Sequence, residues 1–297
     1  MTDVSLDSAL HYTWKPAPQT KSTRIDKYLL NRELVPSDRI QQLEVFVSCS
    51  LSLTKFVPAN GEAAQKYLNV SLVDTEVNPS GGASTIMYDD AERRGWFTES
   101  IVVKMFFLYN EKGLVKLVAD APETTEVSGS HSVSNSLSFD AGGGMFGGTP
   151  TLNVGVSASG GTSTSVSLND FRVLRQPNHQ TNTAQHEYRL GLLQDPETEY
   201  RTWNDLLDNS AKDMLANLFS GGRVAPIRSI PDKAKFAFPI ISQALFRTTN
   251  DLMDNMTLRV QIDQTLVMAE SYAVIGQAQS QTFATHFDFD VPFHRIS

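Results

Sequence analysis

Val127–Asp170 reads VSGSHSVSNSLSFDAGGGMFGGTPTLNVGVSASGGTSTSVSLND. Every even-numbered residue from Ser128 to Ser138 is serine, while Val127, Gly129, His131, Val133, Asn135, Leu137 and Phe139 hold the odd positions. Beyond a glycine-rich interruption the alternation returns in the opposite phase. Leu152, Val154, Val156, Ala158, Thr162, Thr164, Val166 and Leu168 are now even, and Asn153, Gly155, Ser157, Ser159, Gly161, Ser163, Ser165 and Ser167 odd. Successive side chains of a strand point to opposite faces, so each arm has one small polar face and one greasier face. Asp140 and Asp170 are the only charged residues between Glu126 and Arg172. Two uncharged alternating arms joined by glycines have the pattern of a membrane-spanning β-hairpin, and each exceeds the roughly 9–11 residues that a spanning strand needs.

A flexible Gly/Ser linker has no reason to keep strict two-residue periodicity. An ordinary surface hairpin would carry Lys, Glu or Arg on its wet face. Facing residues of an antiparallel hairpin lie on one side of the sheet. The reversed phase therefore pairs Phe139 with Leu152, Leu137 with Val154 and Val133 with Ala158, and centres the turn on Met145 and Phe146; a register shifted by two keeps the same faces. The apolar face is cleanest near the turn, at Leu137, Phe139, Ala141, Leu152, Val154 and Val156, so this half is expected in lipid. The tip carries no charge, which eases its passage through hydrocarbon. A lone hairpin would leave backbone groups unpaired in lipid, so several chains must close a barrel together. Ser134, Ser136, Ser138, Asp140, Asn153 and Ser157 would then line its lumen, and a ring of Asp140 carboxylates would favour cations.

At 297 residues the chain can bury a real core in one large β-domain or two smaller ones. A net charge of −8 argues against a nucleic-acid partner. No apolar run approaches the roughly 20 residues of a membrane helix. Met1–Trp14 lacks a basic stretch followed by an apolar core, so no signal peptide is expected there. The single cysteine, Cys49, leaves no internal disulfide framework and shares a strand phase with Leu43, Val45, Val47, Leu51 and Leu53, as a buried core residue would.

Residues 1–40, with Pro16, Pro18 and Pro36, are expected to be irregular, with Tyr12 and Trp14 packing on a neighbouring surface. Strand patterns follow at about 41–57, 66–77, 100–109 and 113–119, punctuated by turn signals such as Asn110-Glu111-Lys112-Gly113. Ile101, Val103, Met105 and Phe107 belong to a segment apolar on both faces, hence central. Residues 171–193 return to strand. Thr202 to Asp205 has the chemistry of a helix N-terminus, and Leu207, Ala211, Met214, Leu215 and Leu218 recur at helical spacing before Gly221-Gly222. Strands resume at 236–247, 256–269 and 283–293, the last alternating Phe287, Phe289, Val291 and Phe293 against Asp288, Asp290 and Pro292. The rhythm is that of an antiparallel β-sandwich.

This order of elements resembles the leukocidin/α-haemolysin family of secreted β-barrel pore-forming toxins. The resemblance rests on Tyr88-Asp89-Asp90-Ala91-Glu92-Arg93-Arg94-Gly95-Trp96 and the strand Ile101–Leu108, on the glycine-centred hairpin ending in Asn169-Asp170-Phe171, and on Phe238-Pro239-Ile240 with the C-terminal strands. It spans residues 40–297 loosely. It implies an all-β chain divided into an N-terminal segment (1–40), the first part of a β-sandwich (41–126), a pre-stem hairpin (127–171), a sandwich return (172–193), a membrane-binding rim with a short helix (194–235) and the last sandwich strands (236–297). It further implies a released, water-soluble monomer that binds a target membrane through a phosphocholine headgroup or a receptor. Monomers would assemble into a homo-oligomeric ring, with or without a second component, and insert the hairpins. Tyr200, Trp203 and Arg223 are the nearest matches to the family's headgroup-binding rim residues; the competing reading of Trp203 is a packed aromatic at a helix start.

No catalytic constellation appears, and no enzyme activity, cofactor or metal is expected. His179 and His186 are seven apart with no carboxylate at ligand spacing. No G-x-S-x-G, P-loop or Cys-pair motif is present. Asp89-Asp90 and the pair Asp288/Asp290 read as solvated charges, and His131 as a hairpin residue above the bilayer. Two other classes fit the same pattern: an aerolysin-type pore former, and a non-lytic β-protein such as a carbohydrate-binding adhesin.

Overall fold

The structure, a computed structural model, describes residues 10–27, 41–57, 63–78, 94–110, 112–122, 171–190, 193–195, 198–199, 237–249, 251–252, 254–272 and 275–296. These residues build two antiparallel sheets face to face. The first runs β3 (Gln41–Val57), β4 (Gln65–Asn78), β11 (Phe238–Thr249), β6 (Val115–Ala121), with β1 (Leu10–Trp14) and β2 (Gln19–Lys27) both flanking β3. The second has the order β13 (Ile275–Pro292), β12 (Asn255–Tyr272), β5 (Arg94–Phe107), β8 (Ala184–Leu190), β7 (Phe171–Arg175). A separate small pair joins β9 (Leu193–Asp195) to β10 (Thr198–Glu199), and a 3-10 turn closes Phe293–Ile296. The all-β sandwich expected from the turn rhythm is what forms.

The core follows from strand alternation. Leu43, Val45, Val47, Cys49, Leu51 and Leu53 of β3 are all at most 2% exposed, so Cys49 is a core residue as read from its phase. Burial pushes its thiol up to about 12, against a weaker opposite pull from Lys21, which leaves it without thiolate character. Ile101, Val103, Met105 and Phe107 are buried on β5, which lies between β12 and β8 and is central as expected. Phe287, Phe289, Val291 and Phe293 point inward likewise, and Phe107 stacks edge-on against Phe246 of the facing sheet. Burying side chains of this size contributes roughly 1.5–3 kcal/mol each before entropy is set against it.

Three expectations need correction. Residues 10–27, taken as irregular, form an edge strand along β3, broken at Lys15–Pro18, where prolines cannot donate to the ladder. Its polar sequence carries little strand signal because pairing with β3, rather than alternating burial, holds most of it. Trp14 does pack against the core. Residues 171–193, expected to return to strand with no turn placed among them, fold as the hairpin β7–β8. Its turn is built on Asn178, whose Oδ1 accepts from the backbone N–H groups of Gln180 and Thr181 at 3.0 and 3.1 Å. The last strand begins at Ile275 rather than near 283, paired residue for residue with β12.

Bulges explain where period-two reading breaks. Ile240 pairs with Thr75 and Ser242 with Leu72, so β4 holds one extra residue there, and Asp74 takes φ 53°, a left-handed conformation that Asp tolerates. The inward phase then passes from Leu68, Val70 and Leu72 to Thr75 and Val77. Thr75 Oγ1 accepts from Ser48 N at 3.1 Å, which satisfies the buried backbone opened by the bulge. A second bulge in β6 pairs Leu245 with Ala119 but Phe246 with Leu117. A small cluster of Phe56, Tyr67 and Leu245, with Val118 and Ala119 against it, lies on the face of the first sheet turned away from the core.

Candidate functional site

Strand registers place the connections between neighbouring strands of the two main sheets at one end or the other, apart from the Lys15–Pro18 break midway along β3. Ala121 pairs with Gln243, Phe171 with Leu190 and Phe238 with Val77, so these residues share an end. The segments 28–40, 79–93, 123–170 and 200–236 all depart from that end, called here the exit end. The opposite end carries short turns and the C-terminal 3-10 turn. The alternating stretch is therefore inserted between two strands on different sheets, β6 and β7, and leaves beside the segment expected to form the rim.

Val133, Leu137, Phe139, Ala141, Met145, Phe146, Leu152, Val154, Val156 and Ala158 lie outside the described residues, as do Ser134, Ser136, Ser138, Asp140, Asn153 and Ser157. So do Tyr200, Trp203 and Arg223, the helical pattern after Thr202, and Asp89-Asp90. What is described is the framework from which those segments spring.

That framework contains a cluster of polar groups which the sequence reading did not bring together, although it weighed His186 alone. The β6 bulge reverses the phase after Leu117, so Asp120, opposite Ala244, points into the sandwich and is 2% exposed. Across the interior, on the second sheet, Arg175 Nε and Nη2 both donate to Asp120 Oδ1, at 2.8 and 2.7 Å. His186, which is fully buried, places Nε2 3.1 Å from Asp120 Oδ2. That contact is close enough for electrostatic attraction but is not aligned as a hydrogen bond, and among the described residues both His186 nitrogens and Asp120 Oδ2 have no hydrogen-bond partner. Burial alone would raise the Asp120 pKa; the polar contact of His186, the hydrogen bonds from Arg175 and the charge of both outweigh it and hold the carboxyl below its ordinary range. Nearby, the Tyr188 hydroxyl donates to the Ile241 carbonyl and lies 2.9 Å from Ser242 Oγ, a second tie between the sheets. Burial drives the Tyr188 pKa upward, so it stays a neutral phenol.

The sequence did hold a signal for this cluster. His186 occupies an inward position of AQHEYRL, in phase with Ala184, Tyr188 and Leu190, and an inward histidine calls for a partner. Asp120 was hidden because only the bulge turns it inward. Asp288, read as a solvated strand charge, forms a two-pronged pair with Arg259, with N–O distances of 2.7 and 2.8 Å.

No protein-family model and no curated protein matches the sequence. Solved structures do. One described as a pore forming protein aligns over 97% of this chain and 94% of its own, with a TM-score of 0.51 and 11% identity. Clostridium perfringens delta-toxin aligns over 88% of this chain and 94% of its own, with a TM-score of 0.50 and 11% identity. At such identity the likeness speaks for fold. The chain has the fold of these pore-forming proteins, and its resemblance to the leukocidin/α-haemolysin family of β-barrel pore-forming toxins holds at that level.

Proposed function

We propose that the chain is a pore-forming cytolysin. A released, soluble monomer binds a target membrane through the segments of the exit end. Copies assemble into a ring, and each contributes residues 127–170 as one hairpin of a shared transmembrane barrel. The observation that carries this reading is the two-phase alternation of Val127–Leu168, inserted between β6 and β7 of a sandwich whose fold is shared with pore-forming proteins. Insertion is driven by moving the apolar face into lipid, at about 25 cal/mol per Å², and by pairing each hairpin edge with a neighbour. Neither step calls for a cofactor or a reacting side chain. Tyr200, Trp203 and Arg223 are the residues assigned to a phosphocholine headgroup, and Ser134, Ser136, Ser138, Asp140, Asn153 and Ser157 those assigned to the lumen.

Dye release from phosphatidylcholine vesicles tests the reading. The protein should release dye, and a disulfide that locks residues 127–170 to the sandwich should abolish release while leaving vesicle binding intact. Binding without release by the unlocked protein would favour the non-lytic adhesin reading instead. In planar bilayers Asp140→Asn should weaken cation preference, and unchanged reversal potentials would remove Asp140 from the lumen.

A further inference from the structure

We propose that Asp120, Arg175 and His186 form a fixed pivot that holds the two ends of the 123–170 segment together while that segment changes conformation. The inference rests on the pore-forming reading and adds positioning residues to it. Asp120 is the penultimate residue of β6, just before the segment leaves, and Arg175 ends β7, the first strand after it. The two belong to different sheets, with no backbone ladder between β6 and β7. Force on the segment would pull these sheet edges apart, and the cluster works beside the Tyr188 hydroxyl and the Leu117–Asn182 hydrogen bond in resisting it. Asp120 supplies its tie with two charge-assisted hydrogen bonds from Arg175 and the adjacent His186.

The cluster is suited to staying closed. The Asp120 side chain is fully buried and that of Arg175 is 25% exposed, so separating them would leave a buried carboxylate without its two hydrogen bonds. The β6 bulge exists at the place that turns Asp120 inward, which is how bulges re-aim single side chains. Movement is thereby confined to the residues between Pro122 and Phe171, and the sandwich transmits none of it.

Spin labels at Lys116→Cys and Gln176→Cys, both exposed positions on β6 and just after β7, read the pivot directly. A second pair at Leu137→Cys and Val154→Cys reads the segment. Cys49 is buried and stays unlabelled. On phosphatidylcholine vesicles the 137/154 spacing should change while the 116/176 distance distribution keeps its position and width. Dye release accompanied by a shifted 116/176 distribution would overturn the pivot and leave the pore-forming reading intact. No change at 137/154 and no release would overturn both. Arg175→Gln should broaden the 116/176 distribution only when vesicles are added and slow release at least tenfold, and Arg175→Lys should restore most of the rate. An Arg175→Gln protein that folds, releases dye at the wild-type rate and keeps a narrow distribution would also overturn it.

Discussion

The two ends of the sandwich are built on opposite plans. At the short-turn end several polar side chains are fastened to backbone groups. Lys66, fully buried, donates from Nζ to the carbonyls of Leu252 and Phe293, both at 2.8 Å, and so ties β4 to the turn after β11 and to the C-terminal 3-10 turn. Asn110 braces its turn through two hydrogen bonds with Val115, and Asn182 Oδ1 accepts from Leu117 N, which links the β7–β8 turn to the facing sheet. The exit end carries the four long connections, and its fastenings among the described residues are inside the sandwich: the Asp120 cluster and the Tyr188 hydroxyl. Rigid closure at one end and long segments on anchored roots at the other is the arrangement expected when a scaffold must stay fixed while its attachments act elsewhere.

The comparison can be broken most forcefully at the closed end. Lys66→Ala removes two charge-assisted hydrogen bonds and the buried stem of the lysine, and should cost about 3–5 kcal/mol in denaturant unfolding of the monomer. Dye release per folded molecule should stay at the wild-type level, because this residue is far from the exit end. A variant with normal stability would refute the stapling role.

At the exit end Asp120→Asn should cost about 2–3 kcal/mol near neutral pH, since the Arg175 guanidinium loses its carboxylate partner. The sign with pH is fixed. The folded-state pKa of Asp120 lies below its ordinary value, so its contribution is present above the unfolded carboxylate range and is lost as the pH falls through the folded value. The gap in melting temperature between wild type and Asp120→Asn should therefore narrow below about pH 4. A gap that widens on acidification would contradict the assigned pairing.

The smallest effect belongs to the outer surface of the second sheet. Arg259 and Asp288 pair with good geometry, but their side chains are 26% and 38% exposed. Arg259→Ala should change unfolding free energy by less than about 1 kcal/mol. A loss comparable to that of Lys66→Ala would show that the ends do not dominate stability.

How far the sequence could be read varied with the physics of each element. Two-sided strands with unbroken phase were plain: β3 around Cys49, β5 around Met105 and the inward phenylalanines of β13 all lie as their alternation required. The edge strand at residues 10–27 was not, because its polar residues are held by β3 rather than by their own burial. Nor were Thr75 and Asp120, whose inward placement depends on one extra residue in each strand, an insertion that leaves no period-two trace. The Asn178 turn was legible in principle from Pro177-Asn178 and Asn182, yet it was absorbed into a longer strand reading. The candidate site is the reverse case. Its residues are argued from pattern and phase between Val127 and Leu168, and the described framework adds where that segment begins and ends.

The central claim is that one face of this segment enters lipid and the other faces water. Environment-sensitive fluorophores placed one at a time at residues 137, 139, 154 and 156, and at 136, 138, 153 and 157, test it on permeabilised vesicles. The account predicts a blue shift and quenching by lipid-borne quenchers in the first set, with water-like emission in the second. Equal responses from both sets, or water-like emission from all eight positions, would contradict it.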